Sequence, residues 1–457
     1  MSMPETEAAG VEAFGYKQEL KRSLSLFDLL VYGLVFIVPG APIAVFGIVF
    51  NASKGMVPLV YFIGLIAMVF TALSYMTMSR AFPVAGSVYT YAARSIGELA
   101  GFIAGWAMLL DYLLLPTLTY VVCAIAMHAT WPVVPEPVWV VSLIAVSTIV
   151  NYFGIEATAR TNFVLLALQL VLLVVFMGLG VRALAHGTGG AHLALAPVFD
   201  PTVLTPGLIF GALSLAVLSF LGFDAISTLS EEARGGAPAI GRATILSLCV
   251  SAVLFMAQTY LASLFVLGRT QFAPGAATNE AFYNVAALIG GYWLKFAITV
   301  PGVLIGGIAG ALSAQAATAR LLYSMARDGK LPRALAHVHP IRKVPERAVF
   351  LVAAVTLVLG TLMLDKLELL TSMVSFGALI GFLLLHVSVL VWFARGSNRD
   401  WLRHVAVPFA GFAIIAYVLW NAEANAKTAG LSWLAAGLLY YAVLRMLGRR
   451  RVSVLPV

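Results

Sequence analysis

Two aspartates stand where an acidic side chain is costly. Asp111 is flanked by Leu109, Leu110, Tyr112, Leu113, Leu114 and Leu115, and Asp224 closes the run Ser219-Phe220-Leu221-Gly222-Phe223-Asp224. A carboxylate at membrane depth costs roughly 2.5 to 3.5 kcal/mol on insertion scales, so it faces a cavity or a partner. Such a group can balance the charge of an organic cation. Asp224 has a second reading, as an amino-terminal cap whose oxygens accept the free amides of Ala225 to Thr228. Asp111 has one as the hydrogen-bonded partner of a neighbouring helix. Aromatic faces for cation–π contact are at hand in Trp106, Tyr112, Phe220 and Phe223. No nucleophile–base pair, HExxH pattern or phosphate loop is present, so the expectation is a non-enzyme without cofactor or metal. Cys123 and Cys249 lie in apolar spans and read as packing residues.

The elements that must position these residues are two hydrophobic helices with a break in the middle. One runs from Leu26 to Phe50 and is interrupted at Val38-Pro39-Gly40-Ala41-Pro42; the other runs from Pro206 to about Ser230 and carries Ser219 to Asp224 at its centre. An unpaired backbone group in lipid costs several kcal/mol, roughly, so a break survives only where protein or a watery cavity receives it. The outgoing half-helix offers free N–H groups suited to a carboxylate, and the incoming half-helix offers carbonyls suited to an ammonium. An amino acid presents both charges. A diamine presents only cations and would need carbonyls, a carboxylate and aromatic faces.

At 457 residues, with 61% hydrophobic and 11% charged, the chain is far more apolar than a soluble protein, where about 25% charged is usual. It reads as an all-α polytopic membrane protein. About twelve apolar stretches begin near Leu26, Met56, Leu99, Pro137, Asn162, Pro206, Ala243, Tyr292, Ala348, Leu369, Val405 and Leu431. One transmembrane domain over 26–447 is predicted, between a cytoplasmic segment 1–25 and a cytoplasmic tail 448–457. The first segment mixes Glu5, Glu7 and Glu12 with Lys17, Lys21 and Arg22, which is not the pattern of an export signal. With the amino terminus inside, 22 of the 28 Lys and Arg residues fall on the cytoplasmic side, five outside, and Lys295 is undecided. Both termini are therefore predicted cytoplasmic. The net charge of +8 follows from topology and attraction to anionic lipid, with no nucleic acid required.

Spans one to five and six to ten can be laid over one another, each set opening with a broken helix and the second inverted, as in many transporters. Residues Arg80 to Gly97 interleave small, hydroxyl and aromatic side chains, which suggests a re-entrant or interfacial segment. After span eight a helical turn, Arg320 to Arg327, should stop at Asp328-Gly329-Lys330-Leu331-Pro332. Gly302, Gly306 and Gly310 recur every fourth residue, as do Gly101 and Gly105, and read as close helix packing. Glu231 and Glu232 have Arg234 and Arg242 as sequence neighbours and read as solvated charge or an inner-gate salt bridge. His386 reads as a satisfied core residue.

These residues resemble the amino acid–polyamine–organocation transporters over essentially the whole chain. The resemblance rests on Phe82 to Tyr91, Gly105-Trp106 with Leu109 to Pro116, Ser219 to Glu232, and Ala319 to Gly329. Leu109-Leu110-Asp111-Tyr112 is most similar to bacterial putrescine importers. The resemblance implies a 5+5 inverted repeat with broken helices 1 and 6, and proton-coupled import of a small amine by alternating access. The alternatives are an amino acid permease or exchanger of the same fold, and, from other classes, a membrane sensor or a membrane enzyme. Carried over by position, the substrate site maps onto Val38, Pro39, Gly40, Ala41, Asp111, Tyr112, Phe220, Gly222, Phe223 and Asp224. Some proton-coupled relatives carry a lysine in span five; the matching place here is Gln169, and Asn162 to Val181 contains no Lys or Arg. Gln169 and Glu231 are the coupling or gating candidates.

Overall fold

The computed structural model describes residues 20–446 except 131–132, 154, 206–207, 210–211, 213–215, 217–218, 274–275, 365–366, 397–399 and 421–423. The predicted 448–457 tail and most of the 1–25 segment lie outside these residues, as does much of the first half of span six. The described chain is helical, and its one β-bridge is a parallel contact of Leu24 with Ala233. Eight of its helices are long and apolar enough to cross a membrane, nine when a bent pair is counted as one span.

That bent pair is the first predicted break. Helix α1 (Leu26–Ile37) and helix α2 (Ala41–Ser53) meet at 45°. Ser25 and Asp28 open α1 with a reciprocal capping box, which satisfies two free amides of the first turn. Pro39 cannot donate to the Val35 carbonyl, so the helix stops there. Val38 then takes φ +59°, a strained choice for a β-branched residue. Pro42 is the second residue of α2, where its missing N–H costs nothing.

The second break differs in form from the expectation. Residues Ser219 to Gly222 form turns, Gly222 adopts φ +112°, and Phe223–Leu229 winds as a 3-10 helix rather than an α half-helix. The hydroxyls of Ser227, Thr228 and Ser230 bond carbonyls three residues back at 2.6–2.7 Å, a local bond that holds the tighter winding.

The remaining long helices are α3 (Val57–Ala81), α4 (Ser87–Ser95), α5 (Glu98–Thr130), α6 (Glu136–Tyr152), α7 (Ile155–Ala185), α8 (Gly236–Leu264), α9 (Ala281–Arg327), α10 (Glu346–Leu362), α11 (Leu367–Ala394), α12 (Val407–Trp420) and α13 (Ala424–Met446). Helices α7, α8 and α13 begin about one or two turns before the apolar stretches that announced them. Hydropathy marks the hydrocarbon, whereas the backbone ladder continues past it into the interface. Helix α9 runs 47 residues, with non-helical geometry at Gly291 only. It absorbs both span eight and the turn Arg320 to Arg327, and it ends where predicted, before Gly329 at φ +72°. Helix α4, inside the Arg80 to Gly97 segment, is almost wholly buried against α5 and α11.

Close approach follows the small residues. A Cβ on Gly310 would meet Val38 Cγ2 at 3.0 Å, so this glycine lets α9 reach the break of α1. Gly101 and Gly105 bring α4 and α9 against α5 in the same way. Gly302 and Gly306 fall in 300–306, whose side-chain surroundings lie outside the described residues. His386 is buried on α11 with its ring nitrogens 3.2 Å from Thr71 Oγ1 and 3.0 Å from Ser74 Oγ, a satisfied core residue as expected.

Candidate functional site

Asp111 and Asp224 are both buried, and each lies within electrostatic range of the other. Asp224 is buried; its Oδ2 accepts the Tyr112 hydroxyl at 2.5 Å and its Oδ1 accepts the Gly222 N–H at 3.2 Å. The predicted amino-terminal cap is therefore corrected: Gly222 holds the cap position, and the carboxylate folds back onto it instead of onto Ala225 to Thr228. Asp111, also buried, lies within electrostatic range of Asp224, and its Oδ1 has no hydrogen-bond partner among the described residues. Tyr75, buried on α3, lies within range of both carboxyl groups. Neither aspartate forms an ion pair among the described residues. Buried carboxyl groups without a fixed cation must be neutralised by a proton or by a cation that arrives.

The backbone around this pair is built for proximity. Pro116 sits inside α5 and cannot serve the carbonyl four residues earlier, which is that of Tyr112. Thr318 of α9 fills the gap, its hydroxyl 2.5 Å from the Tyr112 oxygen. The helix that presents Asp111 and Tyr112 is thereby tied to α9 at the turn where it would otherwise be weakest. From the other side, a Cβ on Gly377 of α11 would come within 2.8 Å of the Asp111 nitrogen. The two breaks touch: a Cβ on Gly222 would lie 2.1 Å from Phe36 Cδ1 and 3.0 Å from the Phe36 carbonyl carbon.

Beside the acid pair lies an apolar cavity of about 300 Å³. Val38, Gly40, Ala41 and Gln169 line it, with Phe36, Leu118, Phe176, Ser219 and Leu221 among the rest. Pro39, Asp111, Tyr112, Phe220, Gly222, Phe223 and Asp224 do not. Phe36 forms the partition, because its ring lines the cavity and stands 6.2 Å from that of Tyr112. Gln169 approaches Gly40 so closely that a Cβ there would be 3.1 Å from its Nε2. Gln258 of α8, passed over in the sequence, donates from Nε2 to the Pro39 carbonyl at 2.9 Å. It was legible by the rule that picked out the aspartates, being a lone amide in an apolar span.

Three of the aromatic candidates pack within the bundle. Phe220 packs its ring against Tyr61 and Phe255, and Phe223 against Tyr75 and Phe382. Both are fully buried beside the break and do not line the cavity. Trp106 is turned away altogether: it stacks on Trp433 of α13 at 4.9 Å, each indole N–H donating to the other residue's carbonyl at 2.7–2.8 Å. A sequence places an aromatic on a span but not on a face of the bundle.

At the end of the bundle where α1 begins, Glu231 and Glu232 are buried, not solvated. Glu232 pairs with Arg320, and Glu231 with Arg327 at 2.9 Å while accepting the Ala85 N–H at 3.0 Å. Arg234 and Arg242, their neighbours in sequence, are exposed and play no part in these pairs. The true partners are 88 and 96 residues away. Ser23 and Leu24 complete this closure, their N–H groups donating to the Glu232 carbonyl at 3.1 Å.

Residues 29–444 match the family model for amino acid permeases. The chain belongs to that family, within the amino acid–polyamine–organocation transporters. It is 35% identical over 435 residues to the low-affinity putrescine importer PlaP of Escherichia coli, covering 93% of this chain and 94% of that protein. It is 27% identical to the branched-chain amino acid permease BcaP of Bacillus subtilis, over 94% of each chain. It is 26% identical to the methylthioribose transporter of the same organism, over 93% of each. The family is one of permeases, not enzymes, and the chain is a multi-pass membrane permease.

Proposed function

We propose that the protein is a secondary transporter that imports a small organic amine, putrescine or another polyamine first, by alternating access. The observation that carries this reading is the buried pair Asp111 and Asp224 at the contact of two helix breaks, without a resident cation among the described residues. An incoming ammonium would balance the pair, with carbonyls of the α1 break as further acceptors. Proton coupling fits the same pair, since a proton can neutralise it when substrate is absent. The likeness to a putrescine importer points the same way. In this reading the chain crosses the inner membrane twelve times as a 5+5 inverted repeat, with both termini cytoplasmic and the Glu231 and Glu232 pairs closing the inner side.

An amino acid is the second reading. The apolar cavity beside Gly40 and Gln169 suits a hydrocarbon side chain, and a branched-chain amino acid permease is among the relatives. Thermal-shift screening of the purified protein against diamines and amino acids decides between the two. Stabilisation by putrescine and not by leucine or valine supports the first reading, and the reverse result replaces it with the second. Counterflow of labelled substrate in proteoliposomes separates a carrier from a binding-only sensor.

A further inference from the structure

A second cavity, about 370 Å³, opens where α1 begins, between α1, the start of α7 and the segment that follows the 3-10 helix. Its charged lining consists of Asp28, Arg160 and Arg234. Asp28 is already engaged: its Oδ2 accepts the Ser25 N–H at 2.8 Å and lies 2.7 Å from the Ser25 hydroxyl. Arg160 and Arg234 are exposed, and neither guanidinium has an ion pair or hydrogen bond among the described residues. Two guanidinium groups on one concave surface, unpaired among the described residues, select an anion with several acceptor oxygens, which is the chemistry of a phosphate ester.

The rest of the cavity decides which phosphate ester. Phe27 and Phe163 also line it, 57% and 49% exposed, with ring centroids 5.9 Å apart. They continue the apolar flank of α7, where Val164, Leu168 and Val171 are exposed as well. A free phosphate has no use for this wall. A phospholipid has use for both parts.

We propose that this cavity binds an anionic phospholipid, its phosphate held by Arg160 and Arg234 and the start of its acyl chains lying against Phe27 and Phe163. The site has purchase on both broken spans. The Arg234 N–H donates to the Leu24 carbonyl at 2.8 Å, so the segment that bears Arg234 is fastened to the residues that lead into α1. A bound headgroup would tie α7 to that fastening. The inference does not depend on which substrate is carried.

Native mass spectrometry of the full-length detergent-purified protein, given equal amounts of dioleoylphosphatidylglycerol and dioleoylphosphatidylcholine, tests it. The wild type is expected to retain phosphatidylglycerol preferentially, and Arg160→Gln/Arg234→Gln to lower that preference about thirtyfold, from the usual surface contribution of two cations. Arg445→Gln, at the far end of α13, should leave the preference intact. Arg160→Lys/Arg234→Lys keeps the charge and should keep most of the preference, which separates loss of the site from loss of fold. An unchanged preference in the Gln double variant would overturn the proposal. So would displacement of the lipid by excess inorganic phosphate, which would mark a free-anion site.

Discussion

Gly222→Ala is the sharpest probe of the contact between the two breaks. At φ +112° an L side chain costs roughly 1–2 kcal/mol. The added methyl would also stand 2.1 Å from Phe36 Cδ1 and 3.0 Å from the Phe36 carbonyl carbon; the ring can turn, but the backbone atom cannot. Overpacking of that kind costs about 1–3 kcal/mol, so the total is roughly 2–5 kcal/mol. Gly187→Ala supplies the control, because φ there is +63° and nothing lies within 4 Å of the added atom. It pays the backbone cost alone. Thermal unfolding of the two purified variants in detergent should therefore show Gly222→Ala distinctly less stable than Gly187→Ala, with transport lost at temperatures where it remains folded. Equal stability of the two would refute the close approach of the breaks.

Removing one partner of the buried Glu232 and Arg320 pair leaves an uncompensated charge, at a cost of about 3–5 kcal/mol. Glu232→Gln should thus lower the thermal unfolding temperature of the purified protein, while Glu232→Gln/Arg320→Met recovers much of the loss. Phe36→Ala removes the partition between the cavity and the acid pair, and should increase modification of Asp111 or Asp224 by a hydrophobic carbodiimide, mapped by peptide mass spectrometry. Trp106→Phe removes one of the two indole bonds to α13, worth about 1 kcal/mol, and should lower the unfolding temperature without changing substrate affinity. A change in affinity would restore the cation–π role that the packing denies.

The first break was legible because its cause is local: Pro39, Gly40 and Pro42 interrupt the helix wherever it is placed. Asp111 and Asp224 were legible because hydrocarbon makes any carboxyl group conspicuous. What the sequence withheld is direction around the bundle. Trp106 and Asp111 share α5, yet one stacks on α13 and the other lies buried within electrostatic range of Asp224. The partners of Glu231 and Glu232 come from the distant end of α9, while nearer arginines stay exposed. Such pairings depend on which helices become neighbours. The 3-10 winding after Gly222 is set by hydroxyls that an apolar-run reading ignores.

Counterflow of labelled putrescine in proteoliposomes, compared among the wild type, Asp111→Asn and Asp224→Asn, shows whether the buried carboxyl groups hold the substrate cation. Exchange is expected in the wild type and its collapse in both variants, each with an unfolding temperature no lower than that of the parent. Undiminished diamine affinity and exchange in both variants would contradict it.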